Sequence, residues 1–288
     1  MTTYPWLDAL EERFVQLHAQ KKLPHAILLS GPEGLGKADL AKEMGQHVLG
    51  AELSTANPNV CLVQPEDGKI AIDTVRHLLQ RLTKTASGYR VAIITSAHVM
   101  NTAAQNALLK TLEEPGENTL LILTSDRPAQ LLPTIRSRCQ CWQVPVASKA
   151  QALPWLEKQT AVVEWSLYLR LAQGAPLAAV SMAEAEQLNV FKAWRQHWVA
   201  MLNQQQTVTD VVQALGDVSV TAVMDWLLQV LHMAAIQPAH WLRKRFDEAD
   251  LFSHYQWVLD KKRLYLENQY LNKTLLLSQC FLGAEHVS

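Results

Sequence analysis

Residues 24–38 read PHAILLSGPEGLGKA, and this stretch decides the fold of the first half of the chain. Pro24 to Ser30 is a short apolar run that predicts a buried strand, and a helix is predicted from Lys37 to about Leu49. The glycines between them let successive backbone N–H groups point inward, as in a loop that binds phosphate. The glycines that form this candidate loop are Gly31, Gly34 and Gly36.

Lys37 is the residue of this loop that would reach the β and γ phosphates of a nucleotide. The match to the pattern G-x-x-x-x-G-K-[ST] is complete except at its last position, where Ala38 stands. The hydroxyl that normally occupies this position ligates magnesium. The loop therefore has the pattern of a phosphate-binding loop but lacks one of its magnesium groups.

The chain downstream of the loop alternates short apolar runs with helical patterns. Strands are predicted at Val60–Val63, Val91–Ile94 and Leu120–Leu123, and helices at Ile72–Leu82 and Thr102–Glu114. This alternation predicts βαβ units and an open parallel sheet that ends near residue 145. From residue 148 the pattern is helical, with predicted helices at 149–159 and 162–173, so the predicted fold class is α/β followed by all-α.

Composition narrows the possible functions of the chain. Its 288 residues are 49% hydrophobic, the formal net charge is −1, and no apolar run approaches the roughly 20 residues of a membrane helix. We therefore expect no membrane partner, and a cytoplasmic location as the default. The charge balance gives no basic surface that would hold DNA without help from partners. The four cysteines lack the paired spacing of a zinc site, so no metal site is predicted.

A phosphate-binding loop that hydrolyses ATP also needs an acidic residue at the end of a neighbouring strand. The predicted strand Val91–Ile94 is followed by Thr95, Ser96, Ala97 and His98, which include no carboxylate. A neutral imidazole is a poor ligand for magnesium. We therefore expect no ATP hydrolysis by the chain alone, whereas the sequence leaves open whether the loop binds ATP.

Three further segments, in this order, carry a family resemblance: Asn106–Pro115 (NALLKTLEEP), Leu123–Ser125 (LTS) and Ser137–Cys139 (SRC). Together with the glycine loop they resemble the clamp-loader branch of the AAA+ ATPases. The resemblance implies a P-loop AAA+ parallel-sheet domain at 1–146, a small helical lid at 147–186 and a helical collar for oligomerisation at 187–288.

The resemblance also implies roles for particular residues. Arg138, with Ser137 beside it, corresponds to an arginine finger that reaches the γ-phosphate of ATP held by an adjacent subunit. Ser125, or Thr124 next to it, corresponds to the sensor position near that phosphate in a subunit's own site. Leu177 stands where active members have a second sensor arginine. Members of the family commonly carry a four-cysteine zinc module after the P-loop helix, but the segment from residue 50 to 60 is too short for one.

The partners implied by the resemblance are the motor subunits and another non-motor subunit of a clamp-loader ring, with the sliding clamp and primer–template DNA reached through the complex. The chain would then be a catalytically silent part of a DNA polymerase holoenzyme. Two other readings remain open on the sequence: a working P-loop ATPase of the clamp-loader or helicase-loader type, and a degenerate AAA+ protein that binds DNA directly.

Overall fold

A computed structural model describes residues 4–54, 56–82, 88–159, 164–237, 239–268 and 270–283. The strands are β1 Ala26–Ser30, β2 Val60–Val63, β3 Arg90–Ile94, β4 Thr119–Ser125 and β5 Gln140–Gln143. The first eight helices are α1 Asp8–Ala19, α2 Lys37–Leu49, α3 Ile72–Leu82, α4 Thr102–Glu113, α5 Pro133–Arg138, α6 Lys149–Leu156, α7 Trp165–Leu171 and α8 Pro176–Glu184. The remaining helices are α9 Gln187–Leu202, α10 Val208–Ala214, α11 Val220–Ile236, α12 Glu248–Glu267 and α13 Lys273–Leu282.

The five strands form one parallel sheet in the order β2-β3-β4-β1-β5. Strand β1 lies inside the sheet, because β4 pairs with it on one side and β5 on the other. The chain leaves β1 for the far edge of the sheet and later crosses back over it to β5. Ligands of open parallel sheets bind at such a change of direction, outside the carboxyl ends of the strands.

The apolar composition of the strands explains why the sheet is covered by helices on its faces. Every residue of β1 and β4 is buried, as expected of parallel strands in an α/β unit. One core cluster joins the face of the sheet that includes Leu28, Ile94 and Leu123 to buried residues of α3 and α4. The predicted fold class, a parallel α/β sheet followed by helices, is confirmed.

Individual boundaries differ slightly from the sequence-based ones. Strand β4 runs from Thr119 to Ser125, longer than the apolar run alone, because Thr119 pairs with Arg90 of β3 and Thr124 and Ser125 continue the pairing with β1. Helix α6 ends at Leu156 instead of residue 159, and the region after it is a turn. The start of the helix predicted from residue 162 lies outside the described residues, and α7 is described from Trp165 to Leu171.

The chain divides into two compact units, Met1–Ala183 and Glu184–Ser288. The second unit is helical and has its own core, in which the rings of Trp194, Trp198 and Trp226 meet edge to face beside Phe281. The separation of a lid from the sheet domain, with a collar after it, stays a prediction. Within the described part of the chain, no helix has both the length and the apolar character needed to cross a membrane.

Candidate functional site

The glycine loop joins the carboxyl end of β1 to the start of α2, in the position predicted from the sequence. Gly31, Gly34 and Gly36 have φ angles of 154°, 80° and 84°, which side chains with a Cβ rarely tolerate. The N–H of Gly31 donates to the carbonyl oxygen of Ser125 at 3.2 Å, which ties the start of the loop to the end of β4. The backbone thus has the curled geometry of a phosphate-binding loop.

The ammonium group of Lys37 is bound by partners from its own chain. Only 5% of the side chain is exposed, and its Nζ lies 2.5 Å from the Asp126 carboxylate and donates to the carbonyl oxygen of Pro32 at 2.5 Å. Asp126 reaches Lys37 because β4 and β1 are neighbours in register, with Ser125 opposite Ser30. The cation that would bind phosphate is therefore already paired with a carboxylate.

His98 lies on the other side of Asp126. Its Nε2 is 4.0 Å from the second carboxylate oxygen, and its Nδ1 is buried without a hydrogen-bond partner in the described structure. Burial lowers the pKa of His98 most, Arg127 and Lys37 lower it further, and Asp126 opposes them. The imidazole is therefore neutral near pH 7 and cannot replace Lys37 as a partner for Asp126.

The loop is covered on two sides by other parts of the first unit. The Tyr4 ring packs on Gly36 so closely that a Cβ there would lie 2.7 Å from it, and the Trp6 indole donates to the Leu35 carbonyl at 2.9 Å. On the other side the N–H of Leu177 donates to the Gly34 carbonyl at 3.0 Å. A Cβ on Gly34 would lie only 2.6 Å from Ala178 of α8.

Ser125 and Thr124, the candidate sensor residues, are both buried at the end of β4. The Ser125 hydroxyl accepts a hydrogen bond from the N–H of Arg127 at 3.2 Å. The Thr124 hydroxyl accepts one from the N–H of Ser96 at 3.0 Å. Both side chains therefore stabilise turns at the carboxyl edge of the sheet, beside the loop.

The residues around the loop do not fit a magnesium–triphosphate complex. Position 38 has no hydroxyl, the turn after β3 has no carboxylate, and the carboxylate of Asp126 is paired with Lys37. A nucleotide would have to displace Asp126 before its phosphates could reach the ammonium group. Across the described ranges of the chain, no group of three or more His, Cys, Asp or Glu side chains could hold a metal ion.

Arg138 lies near the amino end of β1, whereas Lys37 lies beyond its carboxyl end. It is the last residue of α5, just before β5, and Gln140 of β5 pairs with Ile27 near the start of β1. Strand β1 has five residues, so about 13 Å of strand separates its two ends. Arg138 therefore lies away from the loop of its own chain, toward the amino end of β1.

The Arg138 side chain is partly exposed and bound by three acceptors. One terminal nitrogen, Nη2, lies 2.5 Å from a carboxylate oxygen of Glu113, the last residue of α4. The other, Nη1, donates to the carbonyl oxygen of Thr134 at 3.0 Å and to the Ser137 hydroxyl at 3.4 Å. About a third of the Arg138 side chain remains exposed, so another molecule can reach the guanidinium group.

Comparisons with known proteins agree on the family. A family model described as DNA polymerase III, delta subunit, matches residues 6–148. Subunit delta' of DNA polymerase III from Haemophilus influenzae is 30% identical over 79% of this chain and 76% of its own length. Its counterpart from Pseudomonas aeruginosa is 29% identical over 95% of this chain and 94% of its own length. The chain belongs to the DNA polymerase III delta-prime family.

Two further comparisons concern a related sequence and the fold. DNA polymerase III subunit gamma/tau from Mycobacterium tuberculosis is 32% identical over 57% of this delta-prime family member and 33% of its own length. A gamma subunit-related protein from Thermotoga maritima has the same fold, with a TM-score of 0.57 and 18% identity over 93% of this chain and 97% of its own. The resemblance to the clamp-loader branch drawn from the sequence is confirmed.

The fold of this delta-prime family member brings two carboxylates to the candidate site residues, and the sequence motifs identified neither of them. Asp126 follows β4 directly, and the rule that the carboxyl ends of parallel strands meet at one edge would have placed it near the loop. Glu113 belongs to the NALLKTLEEP segment, but no sequence signal links it to Arg138. That contact depends on how α4 and α5 pack together.

Proposed function

We propose that this chain acts as the delta-prime subunit of the DNA polymerase III clamp loader, and that it supplies Arg138 in trans to the ATP site of an adjacent motor subunit. The names of its relatives, which are subunits of DNA polymerase III, support its membership of this assembly. The observation that carries the proposal is the position of Arg138, partly exposed at the edge of the sheet opposite its own phosphate-binding loop.

The chemistry of the finger follows from the guanidinium group. Arginine stays charged at physiological pH and donates several hydrogen bonds in one plane, which suits the oxygens of a phosphoryl group. During phosphoryl transfer it stabilises the charge that develops on the γ-phosphate, an effect worth on the order of 10³-fold or more in known fingers. Ser137 contributes by binding Nη1 of Arg138 through its hydroxyl.

The chain's own loop has a structural role in this proposal. Because Asp126 is paired with Lys37 and Ala38 carries no hydroxyl, the subunit does not hydrolyse ATP itself. The Gly31 N–H donates to the Ser125 carbonyl, and the Ser125 hydroxyl accepts from the N–H of Arg127. These bonds hold the loop against β4, and the sheet unit that carries Arg138 is then rigid. Any ATP bound by the loop would not be hydrolysed there.

The proposed partners are the gamma/tau motor subunits and the delta subunit, in one ring. Motor subunits that bind ATP would close the assembly on the sliding clamp and on primer–template DNA, and hydrolysis would release the loaded clamp. DNA would be reached through the assembly, because a net charge of −1 gives this chain little attraction of its own for a phosphate backbone.

The test is to reconstitute the loader with Arg138→Ala and to measure DNA-stimulated ATP hydrolysis and clamp loading. We expect clamp loading to fall at least about tenfold, because one motor site loses its transition-state cation. Arg136→Ala is the matched control, since Arg136 is an exposed arginine two residues away in the same helix. A loader with this change is expected to load clamps at a rate within about twofold of the unsubstituted loader, because Arg136 is exposed and takes no part in the proposed phosphoryl transfer.

Equal loading by the Arg138→Ala and unsubstituted assemblies would remove the finger assignment. Magnesium-dependent ATP turnover by the lone chain, abolished by Lys37→Ala, would contradict catalytic silence and favour a working ATPase.

A further inference from the structure

Among the described residues that accept from Arg138, Glu113 is the one that comes from a different helix and carries a charge. Its carboxylate lies 2.5 Å from Nη2, whereas Thr134 and Ser137 belong to the helix of Arg138 itself. We propose that Glu113 is a positioning residue for Arg138: it holds the guanidinium group in the orientation that a neighbour's phosphate will bind. This inference rests on the proposed function of Arg138.

The exposure of the pair argues against a role in stabilising the fold. Arg138 is 34% exposed and Glu113 is 49% exposed, and ion pairs this open to solvent contribute little to stability. An unpaired arginine side chain at a protein surface samples many rotamers, and each productive encounter must then select one of them. A carboxylate bound to Nη2 reduces the loss of side-chain entropy on docking, because it restricts the rotamers of Arg138 before the partner arrives.

The surrounding backbone favours a cation at this place. Glu113 ends α4 and Arg138 ends α5, so the carboxyl ends of two helices, with their partial negative charge, lie beside the guanidinium group. The Thr134 carbonyl, near the start of α5, accepts hydrogen bonds from both Nη1 of Arg138 and the Ser137 hydroxyl. Arg138 is thus bound on its Nη1 side by its own helix and on its Nη2 side by α4.

This division of contacts suggests how the finger engages a phosphate. Carboxylate and phosphate oxygens accept the same charge-assisted hydrogen bonds from a guanidinium group. A phosphate oxygen that approaches Arg138 can replace Glu113 at Nη2 while Thr134 and Ser137 keep their bonds to Nη1. Glu113 therefore occupies the place of the phosphate until the neighbour docks, and Arg138 does not need to change its rotamer at that moment.

The test compares four changes in the reconstituted loader: Glu113→Ala, Glu113→Gln, Arg138→Ala, and Glu113→Ala combined with Arg138→Ala. The control is Glu114→Ala, which removes an adjacent exposed carboxylate. We expect Glu113→Ala to lower kcat of DNA-stimulated ATP hydrolysis roughly three- to tenfold without changing KM for ATP, since in each turnover Arg138 must reach its productive orientation before it can stabilise the transition state. Glutamine keeps an oxygen acceptor and should recover at least half of the loss.

The double variant should hydrolyse ATP no more slowly than Arg138→Ala, because Glu113 acts only through Arg138. Thermal unfolding of the lone chain should be the same for Glu113→Ala and Glu114→Ala, which excludes a folding defect. Equal rates for those two variants while Arg138→Ala is slow would overturn the positioning role and leave the finger standing. A faster Glu113→Ala enzyme, or additive losses in the double variant, would also overturn it. An unaffected Arg138→Ala loader would instead remove the proposed function.

Discussion

Lys37 shows at the scale of one residue how the chain itself can supply partners for the cation of a phosphate-binding loop. Its ammonium group is almost fully buried, and a buried charge is tolerated only when it is paired or hydrogen-bonded. Asp126 and the Pro32 carbonyl supply those partners from within the chain. The pair therefore satisfies, without a nucleotide, the charge that a P-loop lysine brings to its site.

The role of Asp126 can be tested by Asp126→Asn, which removes the negative charge and keeps the shape. We expect the free energy of unfolding to fall by about 2 kcal/mol, less than for a fully buried pair because Asp126 is 22% exposed. Combining it with Lys37→Met should recover more than half of the loss. Denaturant titration followed by circular dichroism measures both.

Asp73→Asn is the matched control, since Asp73 forms an exposed ion pair with Arg76. It is expected to change the free energy of unfolding by no more than about 0.5 kcal/mol. Equal effects of Asp126→Asn and Asp73→Asn would mean that Lys37 does not depend on Asp126.

Residue types alone predicted the members of this site only in part. Lys37 and Arg138 could be identified because each lies in a local motif whose spacing is read along the chain. Asp126 and Glu113 act through contacts between segments that are far apart in sequence, and these contacts exist only once β4 pairs with β1 and α5 packs against α4. Local patterns do not specify such contacts.

At the scale of elements, the loop after β1 is fixed by what packs on it. Helix α8 approaches Gly34 so closely that there is no room for a side chain, and the Leu177 N–H binds the Gly34 carbonyl. The strands that position this loop were predictable, because runs such as Val91–Ile94 are continuously apolar and are buried on both faces. The approach of α8 was not, since it depends on tertiary packing.

The contact between the loop and α8 predicts a difference between two glycine substitutions. Gly34→Ala forces an alanine to a φ of 80° and into Ala178, so we expect a loss of about 3 kcal/mol in the free energy of unfolding. Gly50→Ala has a similar φ of 63° but meets nothing within 4 Å, and should cost about 1 kcal/mol. Thermal and denaturant unfolding of both variants measures the difference.

Because Gly50 shares the backbone strain but not the contact, the excess loss in Gly34→Ala reports the packing of α8 on the loop. If both variants lost the same amount of stability, α8 would not be held against the loop in solution.

At the scale of the whole molecule, the chain has two compact units with separate cores. A tryptophan is fully buried in each: Trp142 beside Phe14 in the sheet unit, and Trp198 among the tryptophans of the helical unit. The sequence indicated this change of architecture, because strand signals end near residue 145 and tryptophans become frequent in the helical half. The two compact units divide after Ala183, and the finer division into sheet domain, lid and collar stays a prediction.

Two separate cores predict two unfolding transitions that can be moved one at a time. Replacing a fully buried tryptophan with alanine removes its packing and leaves a cavity, at a cost of about 3–5 kcal/mol. Trp198→Ala should therefore lower the melting temperature of the helical unit and leave that of the sheet unit within about 2 °C, whereas Trp142→Ala should do the reverse. Differential scanning calorimetry of the full chain resolves the two transitions, and each variant is the matched control for the other. A single transition that both substitutions lower equally would mean that the two cores unfold as one cooperative body.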